Sequence, residues 1–256
     1  MRKKIAVFAD VHGALDSLVE LYSMLSWESL DELWHLGDLI DRGPDSEGVV
    51  AFCREFGIKG VMGNHEGAML EKFIKNKTPP KKNQDKIRTY KQLMRDQRNI
   101  DYLWSLPKIH VDQENNALLV HAGIYPWLPF YRQEELNGGR FVCHVGMCHP
   151  DKPGASRWHG YDERRKKSED EHRAEGWVRW YEEYDGSLDI YHGHRSTADQ
   201  KPEIINGKGK GKIYALDTGA YFHGTLTACV IGPEPKFIQT QRKPVPPGVI
   251  IDNSDS

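Results

Sequence analysis

The chain has 256 residues, of which 28% are charged, 38% hydrophobic and 10% aromatic, a composition typical of a globular protein. Its formal net charge of −2 gives no general attraction to nucleic acid or to an anionic membrane. No apolar run approaches the roughly 20 residues that a membrane-spanning helix needs, and the apolar stretch 5–9 is too short for a secretory leader. These features argue against a membrane protein and favour a cytoplasmic location.

The first quarter of the chain alternates short apolar runs with amphipathic helical patterns. The predicted order is strand 4–9, helix 14–25, strand 32–37, helix 46–56, strand 58–62 and helix 67–75. Strands that alternate with helices favour a parallel sheet covered by helices.

Residues 76–105 are rich in Lys, Arg and Gln, and they predict an exposed, partly helical and basic insertion that could form a cap. The insertion could receive a polyanionic substrate, although a solvated surface is the preferred interpretation. A strand is predicted at 118–121, followed by a loop-rich stretch to about residue 167.

The last third predicts a helix and several short strands. Residues 169–184 have a helical pattern, with aromatic residues at spacings of three and four. Five short strands should build a second sheet, at 188–191, 202–206, 213–216, 226–231 and 236–239. We expect residues 1–241 to form a single domain and residues 242–256 to form a mobile tail.

Four short motifs carry most of the chemical information in the chain. They are Asp10-Val11-His12-Gly13, Gly37-Asp38-Leu39-Ile40-Asp41-Arg42-Gly43, Gly63-Asn64-His65-Glu66 and His121-Ala122-Gly123. The first three each follow a predicted strand. Because parallel α/β sheets carry their reactive loops at the carboxyl ends of the strands, we expect these side chains to meet there. One motif alone would be ordinary turn chemistry, but four in this order indicate a common site.

The residue types fit a site for two divalent cations. Asp38 is the candidate bridging ligand, because a carboxylate has enough charge and lone pairs to be shared between two cations. Asp10 and His12 can reach one cation, while Asn64 and His121 can reach the other. Oxygen and imidazole ligands without thiolates suit manganese, iron or zinc.

Three further residues beside these ligands suit phosphate chemistry. Arg42 offers a planar set of donors that can bind two phosphate oxygens at once. His65 can donate a proton to a leaving oxygen, and Asp41 is placed to orient and charge it.

The motifs stand as ADVHG, GDLIDRG, GNHE and HAG, and they resemble those of the calcineurin-like metallophosphoesterases, specifically the phosphoprotein-phosphatase branch. The later segments YHGH, LDTG and GTLTA resemble further motifs of its bacterial members, which include serine/threonine phosphatases and symmetrical diadenosine tetraphosphatases. The resemblance runs from about residue 3 to about residue 231. It implies an α/β fold in which two β-sheets form a sandwich flanked by helices.

The resemblance also implies a mechanism and a set of site residues. A hydroxide that bridges the two metal ions, most simply manganese, would attack the phosphorus with no covalent enzyme intermediate. The implied metal ligands are Asp10, His12, Asp38, Asn64, His121 and His194. His65 and Asp41 would protonate the leaving group, and Arg42 would bind phosphate. A second phosphate-binding arginine is expected after HAG, at Arg140, with Arg157 as the reserve.

The substrate class stays open at this point. A serine/threonine protein phosphatase is the first choice, because the resemblance associates the glutamate of GNHE with that branch. The alternative is a hydrolase that cleaves diadenosine polyphosphates symmetrically, and a non-catalytic binding protein on the same fold is a remote third. A phosphatase acting on nucleic-acid ends would need a strongly basic face, which the net charge does not favour.

The remaining histidines and cysteines favour structural roles. His35 and His192 are interpreted as residues of strands rather than as ligands. Cys143-His144 and Cys148-His149 form a local cluster, but the spacing fits no standard zinc motif.

Overall fold

The computed structural model describes residues 2–157 and 168–241. These residues form two five-stranded sheets and one two-stranded sheet, with helices against them. The predicted α/β sandwich of two sheets is confirmed. The predicted tail at 242–256 and the end of the predicted loop, at 158–167, lie outside the described residues.

The strands are short, and most have four residues. They are β1 Ile5–Phe8, β2 Glu32–His35, β3 Lys59–Gly60, β4 Ile109–Asp112, β5 Ala117–Val120, β6 Met147–Cys148, β7 Val178–Arg179, β8 Asp189–His192, β9 Glu203–Asn206, β10 Lys212–Ala215, β11 Thr227–Val230 and β12 Lys236–Gln239. The helices are α1 Leu15–Leu25, α2 Ser46–Glu55, α3 Asn64–Ala68, α4 Gln84–Leu93, α5 Gln97–Ser105, α6 Glu169–Ala174 and α7 Ala220–His223.

The first sheet has the order β12-β11-β1-β2-β3. Strands β1, β2 and β3 are parallel, as their alternation with helices predicts, whereas β11 lies antiparallel beside β1 and β12 is antiparallel to β11. The assignment of the last two strands to a second sheet was therefore wrong. A strand pattern reports burial and alternation, but the neighbouring strand is chosen by the packing of the whole chain.

The second sheet has the order β4-β5-β8-β10-β9. Its three central strands are parallel, and both edge strands are antiparallel to their neighbours. Strand β4 was not predicted, although its four half-buried residues alternate between apolar and polar side chains.

The core between the two sheets is built by alternation along the strands. Ile5 and Val7 of β1 pack in one cluster with Leu119 of β5 and Tyr191 of β8, so they face the second sheet. Ala6 and Phe8 point the other way, into a cluster with apolar residues of α1, α2 and α5. Strand β1 is thus buried on both faces, and this places its carboxyl end deep in the molecule.

The predicted helix at 169–184 is wrong beyond its first turns. Helix α6 ends at Ala174, and Gly176 then adopts a left-handed conformation with φ of +84°. The chain continues as β7 and as a 3-10 turn, Trp180–Glu182. Trp177 and Trp180 are buried at 1% and 2% exposure, so tertiary burial rather than helical periodicity explains their spacing.

The helix predicted at 67–75 begins earlier than expected, and its second half is π-helical rather than α-helical. Helix α3 starts at Asn64, within the third motif, and is followed by a π-helical segment, Met69–Ile74. The basic insertion forms α4 and α5, which pack beside α2, and Leu93, Ile100 and Leu103 join the core there. Within residues 2–157 and 168–241, no helix has the length and apolar character needed to cross a bilayer.

His35 ends β2 and should make stability fall in acid. It is fully buried; its Nε2 lies 2.9 Å from the Tyr102 hydroxyl and its Nδ1 accepts from the Gly37 amide. Burial lowers the pKa of His35 to about 3, whereas an unfolded histidine titrates near 6.5. As the pH falls between these two values, His35 binds a proton in the unfolded state but not in the native state. The free energy of unfolding therefore falls by about 1.4 kcal/mol per pH unit.

We expect urea unfolding of the wild type and of His35→Gln, measured between pH 7 and pH 4, to show this difference. The variant will be less stable at neutral pH. Its free energy of unfolding should depend less steeply on pH than that of the wild type, because about one proton fewer is taken up on unfolding. Equal slopes for the two proteins would show that His35 is not the group responsible.

Candidate functional site

The site lies where parallel strands of both sheets end. Five strands, β1, β2, β3, β5 and β8, are each followed within a few residues by polar side chains of the predicted site. These side chains are Asp10 and His12, Asp38 and Asp41, Asn64 and His65, His121, and His194. Because the two sheets share one core, their carboxyl ends meet at one edge, and residues far apart in the chain become neighbours.

One part of the site is a tight group of nitrogen and oxygen atoms. His121 Nε2 lies 2.8 Å from Asn64 Oδ1 and 3.1 Å from His194 Nδ1, and Asn64 Oδ1 lies 2.9 Å from the same His194 nitrogen. Asp38 Oδ2 is 3.4 Å from His121 Nε2. Four potential ligand atoms therefore converge on one point.

The other part of the site includes the first motif. His12 Nε2 lies 3.6 Å from Asp38 Oδ2 and 3.9 Å from Asp10 Oδ1. Asp38 belongs to two groups of three residues whose ligand atoms lie within 4.8 Å of one another, one with His12 and His65 and one with His121 and His194. A carboxylate shared by two such groups has the position that a bridging ligand requires.

The tautomers of two histidines suit metal binding. His12 Nδ1 donates to the Ile40 carbonyl at 2.9 Å, and His121 Nδ1 donates to the Leu36 carbonyl at 2.8 Å. Each Nε2 is therefore directed into the site, an arrangement common for histidine ligands. Among the described residues Asp10 Oδ1 is buried without a hydrogen-bond partner, so a cation would supply what this oxygen lacks.

The electrostatics of the site show that it needs positive charge. Burial raises the pKa of Asp10, and the nearby Asp217 carboxylate raises it further. Burial also disfavours the charged form of Asp38, but the positive charges of His121 and His65 hold its pKa well below the usual range. In turn Asp38 outweighs the effect of burial on His121 and raises its pKa to about 10. A divalent cation would replace the proton on His121 and supply the positive charge beside Asp38.

The backbone around the site is unusual as well. Six residues of the predicted site have positive φ angles, between 46° and 73°: Asp10, His12, Asp38, Asp41, Arg42 and His194. Such conformations cost free energy for residues other than glycine, and they are concentrated at functional sites. At Gly193 a Cβ atom would lie 1.9 Å from Asp10 Oδ2, so only glycine lets the chain approach Asp10 closely enough for the His194 amide to donate to it.

His65 and Asp41 form a pair beside the ligand groups. His65 Nδ1 donates to Asp41 Oδ2 at 2.7 Å, while His65 Nε2 lies 3.9 Å from Asp38 Oδ2. Burial acts to raise the pKa of Asp41, but the hydrogen bond from His65 and the charge of Lys86 hold it below its usual range. An ionised Asp41 can thus accept the hydrogen bond from His65 and orient its ring.

The predicted arginines lie in different surroundings. The guanidinium of Arg42 stands 5.5 Å from the centre of the Phe222 ring. Arg140 is exposed between two 3-10 segments, and its assignment as the second phosphate ligand stays a prediction. Arg157 lies over the Trp177 ring at 4.2 Å. His192 ends β8 as predicted and packs against Trp180.

The cysteines are buried free thiols. Burial raises the pKa of Cys143 and of Cys148 to about 12, so neither favours the thiolate form that binds zinc.

Two residues of the site were not identified from the sequence. Glu66 is completely buried and accepts hydrogen bonds from the backbone amides of Asp38, Leu39, Ile40 and Gly63. The sequence interpretation used Glu66 only as an indication of substrate class. Lys86, from the basic insertion, donates to Asp41 Oδ2 at 2.9 Å. The insertion is therefore more than a solvated surface, and no local pattern marks Lys86 among its neighbouring cations.

Comparison with known proteins identifies the class to which this fold and site belong. The family described as calcineurin-like phosphoesterase matches residues 3–210, so the chain belongs to that family.

Individual relatives are named for nucleotide hydrolysis. A symmetrical bis(5'-nucleosyl)-tetraphosphatase of Proteus mirabilis strain HI4320 is 35% identical over 124 residues, which cover 47% of this chain and 44% of the relative. The protein of the same name from Hamiltonella defensa is 28% identical over 93% of this chain and 97% of its own length. The chain spans less than half the length of the first two curated relatives that it matches, but nearly the whole length of the Hamiltonella protein. A crystal structure of a candidate diadenosine tetraphosphatase, 24% identical, covers 94% of both chains with a TM-score of 0.69 and supports the fold.

Proposed function

We propose that this protein is a two-metal hydrolase of phosphate esters that cleaves dinucleoside polyphosphates symmetrically. The observation that carries the hydrolase proposal is the carboxylate of Asp38 shared between two groups of ligand atoms, with the His65–Asp41 pair beside them. Within that class, the dinucleotide substrate is supported by the names of the curated relatives.

The proposed metal ligands are those predicted from the sequence: Asp10, His12, Asp38, Asn64, His121 and His194. Their convergence and the buried, unpartnered oxygen of Asp10 support this assignment. When bound, a pair of divalent cations supplies an activated water and neutralises charge on phosphate oxygens. Manganese is our proposed metal, with iron and zinc as alternatives, because the ligands are oxygens and imidazoles.

The other residues of the site would bind and protonate the substrate. Arg42 would hold phosphate oxygens with its guanidinium, and Arg140 would join it from the exposed segment after His121. The hydrogen bond from His65 Nδ1 to Asp41 orients the ring. The other ring nitrogen, Nε2, would carry the proton that His65 donates to the leaving oxygen. Proton donation matters most for leaving groups that are strong bases.

The two substrate classes considered from the sequence now differ in support. The first choice, phosphoserine and phosphothreonine in proteins, rested on Glu66. That carboxylate binds four backbone amides inside the protein, so we infer a structural role for it and no preference for protein substrates. We therefore place the dinucleotide first and keep the phosphoprotein as the second candidate. A cytoplasmic location stays a prediction.

The proposal predicts manganese-dependent turnover that depends on His65. Hydrolysis of p-nitrophenyl phosphate, a phosphothreonine peptide and diadenosine tetraphosphate should be measured in parallel. We expect diadenosine tetraphosphate to give the highest kcat/KM and to yield only ADP. The His65→Asn variant should lower kcat by about a hundredfold or more for the phosphothreonine peptide, whose leaving alkoxide is strongly basic, and by less for the dinucleotide and p-nitrophenyl phosphate, whose leaving groups are weaker bases.

Each result separates two interpretations. Preferential turnover of the phosphopeptide would move the substrate to proteins while keeping the same site. A wild-type protein that binds two manganese ions but hydrolyses none of the three substrates would contradict the proposed function.

A further inference from the structure

The His65–Asp41 pair has a third member that comes from the basic insertion. Lys86, in the first turn of α4, places its Nζ 2.9 Å from Asp41 Oδ2, the same oxygen that accepts from His65 at 2.7 Å. The Lys86 side chain is 28% exposed and that of Asp41 only 2%. The ion pair is therefore largely removed from water, where such a charge-assisted hydrogen bond is stronger than at the surface.

Helix α4 is fixed against the loop that carries Asp41. The Arg88 guanidinium donates to the carbonyls of Arg42 and Gly43, at 2.8 and 3.0 Å. The Ser46 hydroxyl lies 3.2 Å from the Thr89 hydroxyl and also accepts from the Asp41 amide at 3.0 Å. These contacts, made by residues two and three positions after Lys86, fix α4 so that the position of Lys86 beside Asp41 is built into the fold.

Gln92 adds two further contacts in the same place. Its side-chain carbonyl accepts from the Ser46 amide at 3.1 Å, and its side-chain amide donates to the Pro44 carbonyl at 2.8 Å. The loop between Asp41 and α2 is thus held along its length by one face of α4.

The second oxygen of Asp41 explains why Lys86 matters. Among the described residues Asp41 Oδ1 is buried and has no hydrogen-bond partner. The orientation of the carboxyl group therefore depends on the contacts made by Oδ2, to His65 and Lys86. Without Lys86 the carboxylate would keep one partner and could rotate, and His65 would lose a fixed direction for its Nε2 proton.

We propose that Lys86 is a positioning residue that holds Asp41 in place, so that proton donation by His65 to the leaving group depends on the insertion. This inference rests on the proposed function and adds the insertion to the machinery of the same site. Lys86 itself acts through Asp41 rather than on the substrate.

The test uses leaving groups of different basicity. A good leaving group such as p-nitrophenolate needs little help from a proton donor, whereas an alkoxide such as that of threonine needs full protonation. We expect Lys86→Met to lower kcat by less than about threefold for p-nitrophenyl phosphate and by about 10- to 100-fold for phosphothreonine or phenyl phosphate, with KM little changed. Lys86→Arg, which keeps the charge, should recover most of the loss.

Two controls make the test specific. Lys91→Met removes a cation from the exposed face of α4 and should leave the rates unchanged. The double variant His65→Asn/Lys86→Met should be no slower than His65→Asn alone, because residues that act as a unit are not additive.

Several outcomes would overturn the proposal. Losses equal for all leaving groups, together with a raised KM, would mean that Lys86 binds substrate phosphate directly. Additive losses in the double variant would mean that it acts independently of His65, and unchanged rates in Lys86→Met would mean that the ion pair has no role.

A measurement without turnover separates this inference from the proposed function. In proton NMR of the wild type, the Nδ1 proton of His65 should be protected from exchange by its bond to Asp41. We expect that signal to broaden or disappear in Lys86→Met and to persist in Lys91→Met. Its persistence in Lys86→Met would overturn the inference even if the substrate had been assigned wrongly.

Discussion

Replacing Asp38 by asparagine should remove both metal ions together and lower the rate of hydrolysis by about 10³-fold or more. The Asp38 carboxylate lies in both groups of ligand atoms, and a neutral amide lacks the charge to serve two cations. Loss of about 4 kcal/mol of transition-state stabilisation corresponds to that factor. The metal content of the purified variant, measured by elemental analysis, and its turnover of diadenosine tetraphosphate test this expectation.

The matched control is Asp16→Asn, which makes the same chemical change at an exposed position of α1. It should retain two metal ions and full activity. If Asp38→Asn keeps two equivalents of metal with wild-type affinity, Asp38 is not the bridging ligand and the assignment of both ligand groups is wrong.

Replacing Glu66 by alanine should destabilise the fold by about 3–5 kcal/mol and lower the melting temperature by roughly 10 °C. The variant leaves the amides of Asp38, Leu39, Ile40 and Gly63 without their acceptor in a fully buried place. Three of these bonds hold the loop that presents Asp38, and the fourth holds the turn before Asn64, so metal affinity should fall as well. Thermal unfolding and manganese titration measure the two effects.

The comparison variant is Glu71→Ala, in the π-helical segment after α3, where the carboxylate is partly exposed and forms a surface ion pair with Lys75 four residues later. It should change stability by less than about 0.5 kcal/mol. A Glu66→Ala protein that melts like the wild type but no longer accepts a phosphothreonine peptide would instead favour a role for Glu66 in substrate choice.

Much of the candidate site could be predicted because its residues lie in compact motifs. Asp10 and His12, or Asn64 and His65, are close in the chain, and each pair directly follows an apolar run. The ends of parallel strands meet at one edge of a sheet, so strand positions alone bring the motifs together. Roles within the motifs, such as the shared position of Asp38, follow from ligand chemistry.

Contacts between distant parts of the chain could not be predicted in this way. Lys86 is one of several cations in a basic segment, and only the docking of α4 distinguishes it from Lys91. Glu66 stands in a recognisable motif, but its four amide partners depend on the conformation of two loops.

The fold shows the same division. The strand–helix alternation of the first quarter, the short strands of the last third and the candidate metal ligands could be predicted from the amino-acid sequence, because each depends on local patterning and side-chain chemistry. The pairing of β11 and β12 with the first sheet and the contact between the insertion and Asp41 depend on tertiary packing. Strand neighbours and docked helices are chosen by the burial of whole surfaces, and local patterns do not record that choice.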